Sequence, residues 1–356
     1  MVGPDGQLPL PWLAPLLHQT LATQRAHALL LHGPQGVGQF ELGVTVAQAW
    51  LCEAADADLR TGMRPCGVCA SCRLAQAHSH PDMLVLLPEA LQQPLGWARA
   101  DEDGAPERAS KTKAPSKEIK VEAVRAAIEF AQITSARGRA KVVVLHPAER
   151  INGVSANALL KVLEEPPGNA RFVLSCAAPD ALLPTIRSRC QSVPMALPPV
   201  DVATAWLAAQ GVADPLVLLA ATGGQPQEAL EWTKQGIDAA LWLRLPALVE
   251  QGLSAALGGW PLARVVDALQ KLCHDAACIA AGAAPRYFPA ASIRAGAQPE
   301  ALAAWMRELN RVARHAEHPW SAALMLESLV QQGQRALAVD ARSGPAKQGS
   351  SVHSRA

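Results

Sequence analysis

Four cysteines near the start of the chain have the spacing of metal ligands. Cys66, Cys69 and Cys72 form two successive C-x-x-C steps, and Cys52 lies upstream with thirteen residues intervening. One turn can present three of these sulfurs to an ion, and a loop of this length can bring the Cys52 sulfur to the same ion as the fourth ligand. We therefore expect a closed, structural Zn²⁺ site rather than disulfides, with His80 as a nearby alternative ligand.

A second group of residues has the layout of a phosphate-binding loop. Gly33, Gly36 and Gly38 follow the apolar run 28–32 and precede a helical pattern. Such glycines let backbone amides approach a polyphosphate at a helix N-terminus. Where a working loop has Lys to meet the outer phosphates this chain has neutral Gln39, and where it has Ser or Thr to hold magnesium it has Phe40. The residues predict a degenerate site.

The run 142–145 should end in an Asp-Glu pair if it ordered magnesium and the attacking water. It ends instead in His146 and Pro147. Glu149 is offset by two residues and is expected to lie at the surface. Without the lysine, the hydroxyl and both acids, self-catalysed ATP hydrolysis is improbable, and no ATP of its own is expected.

A basic pair, Arg187 and Arg189, follows the segment Leu183–Ile186. From the residues alone, a solvated face or a local salt bridge explains such a pair.

The elements that position these residues are short strands and helices that alternate through the first half of the chain. Each strand candidate is a continuous apolar run, which is typical of a buried parallel strand joined to the next by a crossover helix. The five candidates are Ala28–His32, Met83–Leu87, Lys141–Leu145, Arg171–Ser175 and Ser192–Leu197. They predict an α/β domain with a RecA-like parallel sheet.

Three other regions have different patterns. Residues 88–116 are rich in Gly, Pro, Ala, Lys and acids without periodicity, and predict a mobile surface insertion. From Pro198 onward the Ala- and Leu-rich spacing predicts helices only. The last residues, 343–356, predict a frayed tail.

Composition narrows the function classes. The 356 residues contain 32 basic and 31 acidic side chains, so no global positive field holds the chain on nucleic acid and any DNA contact must be local. No apolar run reaches the length of a membrane span, and the N-terminus lacks the order of a signal peptide. These features predict a cytoplasmic protein without a membrane partner.

Two longer motifs carry a family resemblance. The segment 155–167, SANALLKVLEEPP, and the segment 183–190, LPTIRSRC, resemble the bacterial clamp-loader AAA+ family, whose members carry NALLK-LEEPP followed by an SRC motif. The cysteine module at 52–72, followed by His80-Pro81-Asp82, is also similar to this family.

The resemblance implies a fold and a domain order. Residues 1–197 would be a degenerate AAA+ domain with the zinc module, 198–240 a helical lid, and 241–342 a helical collar that joins subunits.

The resemblance also implies a role for the basic pair. In this family the SRC arginine contacts ATP bound by the neighbouring subunit, so Arg189 would be an arginine finger acting in trans. Ser188 and Cys190 would position the turn, and for Cys190 we favour the role of a small buried side chain.

The implied function is that of a stator subunit without ATPase activity of its own, which completes a neighbour's ATP site while a sliding clamp is loaded. Its partners would be the gamma/tau and delta subunits, with the clamp and primed DNA met through the complex. The alternative is an active ATPase of the gamma/tau type. A free-standing DNA-binding zinc finger is disfavoured by the near-neutral charge.

Overall fold

The computed structural model describes residues 1–55, 64–98, 115–315 and 321–338. They form two compact units. One comprises Met1–Gln210 with Gln225–Glu228, and the other comprises Gly211–Gly224 with the residues from Ala229 onward. The first unit holds the sheet and the residues predicted to do chemistry.

The first unit is built on a five-stranded parallel sheet. Its strands are β1 Ala28–His32, β2 Met83–Leu86, β3 Lys141–Leu145, β4 Ala170–Cys176 and β5 Gln191–Pro194, in the order β2-β3-β4-β1-β5. This confirms the predicted α/β fold and all five strands. β5 ends at Pro194 rather than Leu197, since its neighbour β1 ends at His32, which is paired with Pro194.

Alternating strand residues face two separate cores, because side chains on a strand point to opposite faces. Leu30, Val143 and Phe172 lie in one core, and Leu31 and Val144 lie in the other. Helices cover both faces, which is why the strands read as continuous apolar runs.

The helices of this unit precede β1, connect successive strands or follow β5. They are α1 Leu13–Thr23, α2 Gln39–Leu51, α3 Ala70–Gln76, α4 Glu89–Gln92, α5 Val121–Gln132, α6 Gly153–Glu164, α7 Pro184–Arg187 and α8 Val200–Ala209. α1 and α2 pack in the core of Leu31, and α5 and α6 pack in the core of Phe172.

Helix α6 contains the longest family-like motif. The Asn152 side chain accepts a hydrogen bond from the Ser155 N–H and caps its start. Leu159 and Leu163 are buried one helical turn apart, and the helix ends before Pro166. This packing fixes the position of Glu164 in its last turn.

The described residues of the second unit contain helices and connecting segments but no strand, as predicted. Its helices are α9 Pro215–Ala221, α10 Pro226–Lys234 (whose first turn belongs to the first unit), α11 Ala239–Glu250, α12 Leu262–Ala280, α13 Pro299–Arg314 and α14 Ala322–Leu337. Trp232, Trp242 and Trp305 are fully buried in it. Because α8 belongs to the first unit, the division into a lid at 198–240 and a collar at 241–342 stays a prediction.

The predicted insertion at 88–116 differs from the expectation at its start. Residues Glu89–Gln92 form α4, and the Trp97 ring stacks on His78 with centroids 3.8 Å apart. Residues 99–114 and the tail at 343–356 lie outside the described residues. Within the described ranges, no helix combines the length and apolar character needed to cross a lipid bilayer.

Candidate functional site: a glycine loop, a cysteine cluster and an edge arginine

The glycine loop joins the carboxyl end of β1 to the start of α2. Gly36 and Gly38 have φ of 73° and 99°, values that favour glycine. Gly33 packs so closely on the residue after β5 that an added Cβ would meet the Met195 carbonyl oxygen at 2.2 Å. The loop therefore keeps the backbone form predicted from its glycines.

Gln39 is folded back onto this loop. Its side chain is only 5% exposed, and its amide nitrogen Nε2 donates to the Gly33 carbonyl at 2.9 Å and to the Pro34 carbonyl. A neutral amide thus ties two loop carbonyls together at the position where a cation would face phosphate. The loop carries no side-chain charge for a nucleotide.

The first turn of α10 covers the loop, a contact that sequence reasoning missed. The Gln227 N–H donates to the Gly36 carbonyl at 3.4 Å, and the Gln227 side chain donates to Glu41 Oε1 at 2.6 Å. A Cβ on Gly36 would lie 3.4 Å from the Gln225 Cβ. The only signal in the sequence was the break at Gly223–Pro226.

An aromatic cluster occupies the carboxyl edge of the sheet beside the loop. It consists of Phe40, His146, Trp97 and His78. The Phe40 ring lies 5.3 Å from the His146 ring and 6.1 Å from the Trp97 ring, between centroids. Phe40 is buried. Phe40 and His146, the two positions where a magnesium-binding hydroxyl and acid would be expected, are therefore packed against each other.

His146 is held neutral in this cluster. Burial lowers its pKa to about 4. Its Nδ1 lies 2.9 Å from Ser175 Oγ at the end of β4. At neutral pH the edge that would hold a nucleotide and its metal thus presents uncharged groups from both Gln39 and His146.

Glu149 is not the surface residue that the sequence suggested. One carboxylate oxygen accepts a hydrogen bond from the Ala177 N–H at 2.9 Å, and the other is buried without a hydrogen-bond partner among the described residues. The 3-10 turn Ala148–Arg150 directs the side chain to the end of β4. It does not replace the missing acids at the glycine loop.

We predict that His146 makes stability pH-dependent. The unfolded histidine takes up a proton below about pH 6.5, whereas the folded one does so only near 4, so stability present above pH 6.5 is lost as the pH falls toward 4. From pH 7 to pH 5 the wild type should lose about 1–2 kcal/mol more than His146→Gln. Urea unfolding at the two pH values measures this difference.

His18→Gln, at an exposed histidine, is the matched control and should lose as much stability as wild type. Equal losses of stability in wild type and His146→Gln would contradict the prediction.

The four predicted cysteines converge on one point. Their sulfurs all lie within 4.8 Å of one another, and the Cys66–Cys72 and Cys52–Cys69 pairs are each 4.0 Å apart. Metal–sulfur bonds of about 2.3 Å in a tetrahedron place sulfurs about 3.8 Å apart. The cluster therefore has the geometry to hold a tetrahedral metal ion.

The backbone around the cluster also favours thiolates. The N–H groups of Cys66, Cys69 and Cys72 donate to the sulfurs of Cys52, Cys66 and Cys69 at 3.3–3.4 Å. Hydrogen bonding with Cys72 lowers the pKa of Cys52 to about 4, and the same contact raises the pKa of Cys72. A cation bound among the sulfurs would stabilise several thiolates together, so that the Cys52 thiolate would no longer raise the pKa of Cys72.

His80 contacts Ser71, next to the cysteine cluster, and is not one of the residues whose ligand atoms converge there. Its Nδ1 accepts from the Asp82 N–H at 3.0 Å, so Nε2 carries the proton and donates to Ser71 Oγ at 2.8 Å. Ser71 Oγ in turn donates to the Leu51 carbonyl at 2.6 Å. Both ring nitrogens are thus occupied, which argues against the alternative ligand.

Asp82 is a buried anchor whose role sequence reasoning did not identify. Its carboxylate accepts from the N–H groups of Ala136 and Arg137 at 2.7 and 2.9 Å and lies 3.0 Å from the Lys141 ammonium. Burial alone would raise the pKa of Asp82, but these bonds lower it. The His-Pro-Asp motif was the available signal.

Arg189 is held at the opposite edge of the sheet, just before β5. Its Nε donates to Glu164 Oε1 at 2.8 Å, a second nitrogen also contacts that oxygen, and a third donates to the Thr185 carbonyl at 2.8 Å. The arginine side chain is 29% exposed and the glutamate side chain 49%. The guanidinium is therefore paired with a carboxylate that water also reaches.

The neighbours of Arg189 have other roles. Arg187 pairs with the exposed Asp180 at 2.6 Å. Ser188 Oγ donates to the Thr185 carbonyl at 3.1 Å, within the turn. Cys190 packs against the buried core, and burial raises its pKa to about 12, as befits a structural thiol.

Comparisons with known proteins found one matching family model and several similar relatives. The family model described as DNA polymerase III, delta subunit, matches residues 12–199. The chain is 36% identical over 232 residues to the DNA polymerase III subunit delta' of Pseudomonas aeruginosa, covering 64% of this chain and 62% of that protein. It is 30% identical over 283 residues to the DNA polymerase III subunit delta' of Escherichia coli, covering 73% and 76%.

Among solved structures, the chain is similar to a DNA polymerase III gamma subunit-related protein from Thermotoga maritima. The TM-score is 0.47 at 15% identity, covering 92% of this chain and 100% of the other. The chain spans slightly less than two thirds of the length of the Pseudomonas aeruginosa protein.

Proposed function

Because this chain belongs to the DNA polymerase III, delta subunit, family, we propose that it is the delta-prime subunit of a bacterial replicative clamp loader. In this role it hydrolyses no ATP. It acts as a stator and supplies Arg189 in trans to a neighbouring ATPase subunit while the sliding clamp is loaded onto primed DNA. Its partners are the gamma/tau and delta subunits, in the cytoplasm.

One contrast carries this proposal: the chain's own glycine loop is neutral and internally bonded, while a guanidinium stands at the opposite edge of the sheet. Gln39 is tied to the loop carbonyls, and Arg189 is held by the half-exposed Glu164. Phosphoryl transfer needs cationic groups around the transferring phosphate. This chain lacks the loop cation for its own nucleotide and retains an arginine that another subunit's nucleotide can use.

An arginine suits that use for two reasons. Its guanidinium is permanently charged, and its planar donors match phosphate oxygens. Here the residue follows a four-residue helix, α7, on a turn bonded to Thr185 and Ile186. The side chain can therefore leave Glu164 without unfolding a regular element.

The alternative, an active ATPase of the gamma/tau type, is disfavoured by four positions. Gln39 and Phe40 replace the loop lysine and hydroxyl, and His146 and Pro147 replace the strand-end acids. Calorimetry with MgATP on the chain alone separates the two, because magnesium-dependent affinity with turnover belongs only to the active ATPase.

We predict that Arg189→Ala lowers DNA-stimulated ATP turnover at the neighbouring site of a reconstituted loader by about 1,000-fold or more, since an arginine finger stabilises the transition-state charge. Arg189→Lys should restore little, because an ammonium lacks the planar fork. Steady-state turnover at saturating ATP is the measurement.

Arg187→Ala is the matched control, since Arg187 lies in the same segment but pairs with Asp180. It should leave turnover within about twofold. Unchanged turnover with Arg189→Ala in a fully assembled loader would remove the finger assignment.

We also predict that Glu164 competes with the neighbour's phosphate for Arg189. A part-exposed ion pair contributes up to about 1 kcal/mol. Glu164→Gln should therefore raise loader turnover at subsaturating ATP about two- to fivefold. The double variant Glu164→Gln/Arg189→Ala should match Arg189→Ala alone.

Glu165→Gln is the control, because this adjacent glutamate is exposed and makes no ion pair among the described residues. A fall in turnover with Glu164→Gln would mean that the carboxylate orients the finger instead of competing for it.

The metal in the cysteine cluster is proposed to be Zn²⁺. Four sulfurs at tetrahedral separations leave no position for water, so the ion would be structural. The cluster joins the end of α2 to the start of α3, and Glu53 next to it pairs with Arg137. Zinc would hold these segments together.

We predict one zinc ion per purified chain, and a loss of zinc with Cys69→Ser, because three sulfurs bind more weakly than four. Elemental analysis gives the zinc content, and thermal unfolding of the same samples should show a lower midpoint for the variant. Cys278→Ser, outside the cluster, should retain zinc. Full zinc content and stability in Cys69→Ser would contradict the assignment.

A further inference from the structure

A broad groove opens at the amino edge of the sheet, away from the glycine loop. It has a volume of about 910 Å³ and lies within the first unit. Its walls include residues that precede β1, β3 and β4, together with the last turns of α1 and α2. In a parallel sheet the amino ends of all strands share one edge, so the groove and the loop lie at opposite edges.

The groove is lined by cations. Arg25, Arg64, Arg139 and Arg171 line it with His18 and His27, and the described lining contains no aspartate or glutamate. Arg139, Arg171 and Arg25 stand at the amino ends of β3, β4 and β1, which are consecutive in the sheet. Each of these three strands therefore has one arginine at its amino end, and neighbouring strands lie about 4.8 Å apart.

Arginines near helix carboxyl ends can donate to the last carbonyls. Arg64 instead donates to the Ala54 carbonyl at 2.7 Å, in the segment that follows the end of α2. Within the described residues, the side chains of Arg25, Arg139 and Arg171 donate no hydrogen bond and form no ion pair; Arg171 lies over the Trp50 ring at 5.0 Å. Helix capping, hydrogen bonds and ion pairs among the described residues therefore explain none of the three guanidiniums, and that of Arg171 has the Trp50 ring as a partner.

The rest of the lining favours a nucleic-acid backbone over a protein segment. Protein interfaces depend on aromatic or aliphatic anchors in apolar pockets. Apart from Leu21 and Trp50, the apolar lining here is alanine, proline and glycine. Nucleic-acid interfaces are polar and strongly positive, and arginine forks match phosphate oxygens.

We propose that this groove binds the phosphodiester backbone of single-stranded DNA, through Arg25, Arg139 and Arg171. This site goes beyond the proposed trans role of Arg189 and does not depend on it. It is a local positive surface on a chain whose net charge is only +1.

The test uses the full chain alone and a fluorescein-labelled oligothymidylate of about 16 nucleotides. Anisotropy titrations across a salt series should show binding that weakens with salt, with a slope near −2 from about three phosphate contacts. Arg25→Glu/Arg139→Glu should weaken binding at low salt at least about tenfold and reduce the slope by about 1.4.

Arg125→Glu/Arg150→Glu is the matched control, with the same change of charge at exposed arginines outside the groove. Thermal unfolding checks that all variants fold, and Arg25→Gln/Arg139→Gln repeats the test with a smaller change. The proposal fails if wild type does not bind the oligonucleotide at low salt, or if both glutamate pairs weaken binding equally. It also fails if the groove variants bind DNA normally and lose only assembly with partner subunits, because the groove would then be a protein interface.

Discussion

The parallel sheet places the glycine loop and Arg189 at opposite edges, because every strand has its carboxyl end at one edge of the sheet and its amino end at the other. The glycine loop follows β1 at the carboxyl edge, and the end of β3 brings His146 to the same edge. Arg189 precedes β5 at the amino edge, where the end of α6 supplies Glu164. The helices on both faces hold this separation in place through two buried cores.

The two edges of the sheet also differ in the charge of their side chains. At the carboxyl edge, Gln39 is neutral by residue type, and burial keeps His146 neutral by lowering its pKa to about 4. At the amino edge the arginines stay charged at any physiological pH. A nucleotide would find few charged partners at the first edge, while an anion presented from outside would find several at the second. The glycine-loop edge of the sheet is therefore the less charged of the two, and the arginines described here lie at the other.

Much of this could be predicted from sequence because the signals were local. Buried parallel strands give continuous apolar runs, so all five strands were predicted. Two C-x-x-C steps with one more cysteine predicted the four cysteines that converge in a cluster able to hold a metal ion. The contacts that depend on tertiary packing could not be predicted in the same way. Glu164 and Arg189 are 25 residues apart in sequence, and Gln227 reaches Glu41 across 186 residues. Glu149 was misjudged because a 3-10 turn, which no periodicity signals, directs it inward.

A buried polar network beside the cysteine cluster fixes the segments that precede β2 and β3. Asp82 is fully buried and bonded to two backbone N–H groups and to Lys141, so it fixes the turn at Ala136 against the start of β3. His80 connects the same segment through Ser71 to the end of α2. Partly satisfied networks of this kind are costly, whereas satisfied ones specify a single arrangement. Under the proposed trans role, the Arg189 guanidinium would gain from that rigidity, since a displacement of about 1 Å can remove most of the effect of a positioned group.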